Sequence, residues 1–212
     1  MGAGAKQRIL KLISEEKAKS LDRFMSELME KRGITQFPHN QFPFIDIPDG
    51  LSDDILRATS GYTDVHGKRF AIEASKVFHE ISSHSDEEKE AMRGQIPYGI
   101  DSVYQILEAM VYPDIIEDVS HGDVLDQRNT FAVVKSTENS VIVVLSVGGK
   151  RNPNVTPQQI IIFSRQRWQA LMEQGLTIRE ILYSNSGKRK GADPEMVEKI
   201  KKNRVTVAHR ES

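Results

Sequence analysis

Six histidines and no cysteine bound the chemistry open to this chain. Without a thiol there is no cysteine nucleophile, no thiolate metal site and no disulfide framework. Proton transfer by imidazole or carboxylate remains, with cations to take up charge in a transition state. That is the equipment of a metal-free ribonuclease. On this reading His84 is the acid or base, and Lys135 and Arg165 are the groups on phosphate. Arg128, Lys150 and Arg151 lie near the same stretch and are candidate nucleic-acid contacts, as are Lys188, Arg189 and Lys190 in the tail. Plainer roles compete. His84 suits a helix end, where a cation offsets the dipole, and Lys135 suits the solubilising end of a strand. His79 and His84 are five residues apart, not the four that put two ligands on one helix face, and His121 is distant. No carboxylate partner at helix spacing is picked out for them, so neither a metal site nor a cofactor is expected. The GxGxxG, Walker, GxSxG and HExxH patterns are absent, and Gly148-Gly149-Lys150 falls between strands rather than between strand and helix.

These groups need elements to position them. The clearest β-structure is Asn129–Ser164, where Phe131–Val134, Val141–Val147 and Gln159–Phe163 are short runs of Val, Ile and Phe between Asn, Ser, Gly or Pro. The polar link Ser136–Ser140 predicts a hairpin between the first two runs. Most of the remainder reads as helix. Ala5–Arg32 carries Ile9, Ile13, Leu21, Met25, Leu28 and Met29 at three- and four-residue spacing, with a polar interruption at Ser14–Ser20. Further helices are expected over Ser52–Thr59, from Phe70 through Val77 and Ile81 to His84 with His79 facing solvent, from Ser85 to Met92, and over Ile100–Met110. Ser164 is the expected cap of a helix carrying Trp168, Leu171 and Met172, and Thr177 with Glu180 has the form of a capping box. Ile181–Tyr183 is read as a short last strand, Asp193–Lys202 as a helix, and Val205–Val207 as a terminal strand. Pro38, Pro43 and Pro48 deny helix to the segment that carries Phe37, Phe42 and Phe44, so these rings should anchor an extended run to a core.

The expected organisation is an N-terminal helix and Phe/Pro arm over 1–50, an α+β core over 51–186, and a basic helix and tail over 187–212. The arm's first helix could pair with a second copy to make a homodimer. With 212 residues, 38% hydrophobic and 28% charged, the composition is that of an ordinary globular chain. No apolar run approaches the roughly 20 residues that span a bilayer, and the N-terminus lacks a secretory core, so a cytoplasmic protein without membrane contact is expected. The net charge of −1 gives no global field towards nucleic acid. From Gly187 to Ser212, however, eight Lys or Arg stand against four Asp or Glu, an excess that could attract phosphate.

The order SSHSDEEKEAM, YQILEAMVYPDIIED, FAVVKS, VIVVLSVGG, QQIIIFS, RQRWQALMEQG, ILYSN resembles the C-terminal domain of phage MuF-type proteins, in the barnase, EndoU, colicin and RelE nuclease-like group. The matching positions are His84 near a helix end, Pro113 with Ile115 and Ile116, and then Val141–Val147, and the likeness covers about Phe70 to Ser186. It implies a fold with helices on one face of an antiparallel sheet of about four strands, and an RNA-cleaving toxin or effector of a phage or mobile element. The chain departs from the pattern in its separate N-terminal helix and in lacking a His–Glu–Arg set on the strands. Two other functions therefore stand beside ribonuclease: a non-catalytic phage protein that binds and inhibits a host defence protein, and a virion-associated structural component. The partner is RNA in the first case and a host protein in the second.

Overall fold

The computed structural model describes residues 3–30, 41–119, 130–148, 152–185, 198 and 201–207. Seven strands form one mixed sheet: β1 (Gln41–Asp46), β2 (Arg69–Glu73), β3 (Ile115–Asp118), β4 (Thr130–Ser136), β5 (Ser140–Gly148), β6 (Asn154–Ser164) and β7 (Val205–Thr206). Their order is β1-β2-β6-β5-β4-β3-β7, with β2 and β6 parallel and every other neighbouring pair antiparallel. This corrects the expected four-stranded antiparallel sheet of barnase or RelE type. The β4–β5–β6 meander is where the sequence put it, but four further strands flank it.

The centre of the sheet is buried on both faces. Phe131, Val133, Ile142, Val144, Val155, Ile160 and Ile162 point into the larger core. The alternate residues Ala132, Val134, Val141, Val143, Leu145, Ile161 and Phe163 point into a second one. Strands covered twice read as unbroken apolar runs instead of alternating ones, which is why VIVVL and IIIF look as they do. Helices cover both sides accordingly. Over the larger core lie α1 (Ala3–Leu12), α2 (Glu15–Glu30), α3 (Asp49–Ala58), α4 (Ala74–His84) and α6 (Ile100–Val111). Over the smaller lie α7 (Arg165–Glu173) and α8 (Ile178–Asn185), through Leu171, Ile178, Ile181 and Leu182. A one-faced arrangement would leave this second apolar face in water, at roughly 25 cal/mol per Å².

Local chemistry explains the elements. The polar interruption in the first helix is a break: Ser14 Oγ accepts from Lys17 N at 3.3 Å and starts α2. Ile9, Leu21 and Met25 then bury their stripe in the chain's own core, and Arg8 bridges from α1 to Glu108 on α6. The Phe/Pro segment forms β1, an edge strand where Pro43 costs no inner ladder bond and a bulge falls between Pro43 and Ile45. Phe44 stacks on Phe70 at 6.2 Å and Phe42 meets Phe24 at 5.4 Å, so both anchor as expected; Phe37 lies outside the described residues. Ile181–Tyr183 belongs to helix α8, not to a strand: Thr177 Oγ1 accepts from Glu180 N at 3.2 Å while Glu180 accepts from Thr177 N at 2.7 Å. The capping box outweighs the β-branched residue that follows it. Residues 70–73, expected in a helix, extend as β2 because they lie between two strands of the sheet. Among the described residues no helix is long and apolar enough to cross a membrane.

Candidate active site

β2 and β6 run together only briefly, Arg69 opposite Asn154 and Phe70 opposite Val155. Then β2 turns into α4 and leaves the edge of β6. Further along that edge Gly94–Ile96 rejoins it, with Ile96 N donating to Ile162 O at 2.7 Å and Ser164 N donating to Gly94 O at 3.1 Å. Between the two contacts no described strand pairs with this edge of β6, and a bulge near Pro157 bends it there. A cleft of about 400 Å³ occupies the gap, lined by Glu80, His84, Arg93, Gln95, Gln159, Ile160 and Ile161. Ligand sites recur where neighbouring strands of a sheet part in this way.

α4 supplies Glu80 and His84. Its inward face is Ala74, Val77, Glu80 and Ile81, the three- and four-residue pattern of a core-facing helix. Glu80 takes a position where an apolar residue would pack, and His84 follows it one turn later. His84 Nε2 lies 3.6 Å from Glu80 Oε2, and His84 Nδ1 donates to Glu90 Oε1 at 3.1 Å. Glu90 comes from the short helix α5 (Glu87–Met92), which Asp86 caps by accepting from Lys89 N. It is only 1% exposed, and Arg93 Nη1 donates to it at 2.8 Å. A carboxylate this deeply buried needs such partners. The Arg93 side chain is itself 55% exposed and reaches the solvent side of the cleft.

The turn behind this group is fixed by Gly94, whose φ of +68° is a conformation that side chains resist. A Cβ there would stand 2.7 Å from Arg167 Cγ. Arg93 and Gln95 flank that turn, and both line the cleft.

Glu80 is the unusual member. It is 7% exposed and its Oε2 has no hydrogen-bond partner among the described residues. Burial pushes its carboxyl up to about 7, Glu90 adds to the rise, and the charges of His84 and Lys76 hold it back. A carboxyl that changes protonation near neutral pH, facing an imidazole in a cleft, is the arrangement that proton transfer requires.

His84 is thus in the cleft, but Lys135 and Arg165 are not brought to it. Lys135 Nζ donates to Asp114 Oδ1 at 3.0 Å, and Arg165 Nε to Thr137 O at 2.7 Å, bracing the β4–β5 hairpin end. Arg128, Lys150, Arg151, Lys188, Arg189 and Lys190 lie outside the described residues. Glu80, Glu90 and Arg93 escaped the sequence reading. Glu80 and His84 are four residues apart, so a carboxylate at helix spacing does point into the same space as the histidine. The legible sign was a charged pair on the apolar face of an amphipathic helix. Among the described residues no three His, Asp or Glu are arranged to hold a metal ion. His79 is exposed, as expected. No family model, no curated protein and no solved structure matches the chain.

Proposed function

We propose that the protein is an acid–base ribonuclease, with the Glu80–His84 pair moving the proton and Arg93 taking the phosphate. The observation that carries this reading is the Glu80–His84–Glu90–Arg93 network, buried at one end and open to a polar cleft at the other. Ionised Glu80 accepts the proton of the attacking hydroxyl, and the imidazolium of His84 gives its proton to the departing oxygen. Transfer from Glu80 Oε2 to His84 Nε2, across 3.6 Å, then restores the starting state. Glu90, accepting from Nδ1, orients the ring and stabilises the imidazolium. Arg93 and the amides of Gln95 and Gln159 are the donors available to phosphate oxygens. Single-stranded RNA is the substrate because it brings both the phosphodiester and unpaired bases for those amides.

The test is cleavage of end-labelled single-stranded RNA by purified protein. Activity is expected to fall by about a hundredfold or more in Glu80→Gln and in His84→Asn, the range for losing a general acid or base. RNA left intact by the wild type between pH 5 and 9 removes the reading.

One observation favours a second reading. The open edge of β6 beside the cleft could pair with an extended peptide of a host protein, which would make the chain a binding protein. In that case wild type and Glu80→Gln capture the partner equally and neither cleaves RNA.

A further inference from the structure

The gap along β6 has a cause in the sequence. Arg69 N donates to Pro153 O at 2.9 Å, so on this side of β6 the main-chain groups of residues 153 and 155 face β2. The next residue to face that way is Pro157, which has no N–H to give, and the parallel pairing stops after Phe70 and Val155. Pro157 lies opposite Ser146 and Gln159 opposite Leu145, so Gln158 is the extra residue of the bulge. The bulge moves the outward-facing set by one. Beyond it residues 160, 162 and 164 face this edge, as the bonds from Ile96 N to Ile162 O and from Ser164 N to Gly94 O show. Ile162 thus has its carbonyl engaged, whereas Ile160 turns both its N–H and its C=O towards the gap. Neither of these two groups has a partner among the described residues. Ile160 is 5% exposed and lines the cleft with His84 and Arg93. Main-chain groups so placed are rarely left without a partner.

We propose that the main chain of Ile160 is a nucleotide-docking point, its N–H donating to a phosphate oxygen and its C=O accepting from a sugar hydroxyl. Both groups belong to one residue, so one ligand reaches them together. A free amide on a sheet edge favours an anion, and Arg93 brings positive charge to the same cleft. The carbonyl selects further. A bare anion has no proton for it, whereas a ribonucleotide carries an acceptor and a donor side by side. The chain itself closes the gap at both ends, through Phe70 against Val155 and Ile96 against Ile162, which favours a compact group over a long strand. The identity of the ligand rests on the ribonuclease reading above. To that reading the docking point adds a donor fixed by the sheet instead of one carried on a flexible side chain.

Amide exchange and a binding titration on the full chain, labelled with ¹⁵N, test this. In the free protein the Ile160 amide should exchange about tenfold or more faster than that of Ile161, which faces Val143 on β5. A slow Ile160 amide means a partner already in place and overturns the proposal. The probes are inorganic phosphate and the dinucleotide dUpU, which keeps one ribose but lacks the hydroxyl beside the phosphate. Added dUpU is expected to slow exchange at Ile160 and shift its amide proton, and inorganic phosphate should do so more weakly. Replacing Ile160 by its α-hydroxy acid turns the amide into an ester and removes only the N–H. That change is expected to weaken dUpU binding about tenfold to a hundredfold, as for a hydrogen bond to a charged group. Binding of dUpU that leaves the Ile160 amide unchanged, or an ester variant that binds it as the wild type does, overturns the proposal. So does protection by a short alternating threonine–valine peptide and by neither phosphate probe, which marks the edge as a strand-pairing site. Protection by dUpU in a protein that leaves RNA intact keeps the docking point and rejects the ribonuclease reading. Undiminished RNA cleavage by the ester variant keeps that reading and rejects the docking point.

Discussion

Replacing Glu80 with glutamine should stabilise the protein while abolishing the proposed RNA cleavage, and the gain should depend on pH. In the unfolded chain this carboxyl loses its proton near 4.5, whereas in the folded protein it holds it up to about 7. Between those values the folded state binds the extra proton, so its stability falls as pH rises. The full contribution is present below about 4.5 and is gone above about 7. Carrying a carboxyl across that interval corresponds to about 3 kcal/mol. Glutamine keeps the shape and never ionises. Glu80→Gln should therefore match the wild type at pH 4.5 and exceed it by about 2–3 kcal/mol at pH 8.5, or roughly 4–12 °C in Tm for a chain of this size. Thermal and urea unfolding at both pH values measure it. The outcome separates two roles for the same contacts. If Glu80 were a bracing partner of His84, its removal would cost stability at every pH. A Glu80→Gln protein less stable than wild type at pH 8.5, or one with the same difference at both pH values, refutes the reasoning.

The remaining expectations concern the frame around the cleft. Gly94→Ala should lose about 1–2 kcal/mol in urea unfolding, since alanine resists the positive φ and its methyl meets the Arg167 stem. Glu117→Ala should lose about 2–3 kcal/mol: this fully buried carboxylate accepts from Arg204 Nε at 2.7 Å and from Arg179 N at the start of α8, and the loss stays below the fully buried range because Arg204 is partly exposed. Lys135→Ala and Arg165→Ala should keep RNA cleavage within about twofold of wild type, because each serves the hairpin end and not the cleft.

Much of the frame could be read from residue order. The β4–β5–β6 meander, the Ser164 cap, the Thr177–Glu180 box and the Phe42 and Phe44 anchors each depend on neighbours in sequence, and each lies where local chemistry places it. The outer strands depend on partners far away. Val205–Val207 reads as a terminal strand and Val205–Thr206 form one, whereas four-residue Ile115–Asp118 carries too little pattern to declare itself, and the pairing that makes it a strand is tertiary. The unbroken apolar runs carry the mark of burial on both faces, which a sheet covered on one face does not explain. At the site, His84 stood out because histidine is scarce, while Glu80 looked like one more helical charge. Its meaning comes from where α4 lies on the sheet. Glu90 and Arg93 join it from α5 and its C-terminal end, a meeting of two helices that no periodicity reveals.

The most direct measurement of the central claim is the pH profile of single-stranded RNA cleavage by the wild type beside Glu80→Gln. The account predicts that the acid limb of the wild-type profile rises with pH and inflects near 7, where Glu80 becomes an ionised base, and that this limb is lost together with nearly all activity in the variant. RNA left intact at every pH, or a variant that cleaves as the wild type does, would contradict it.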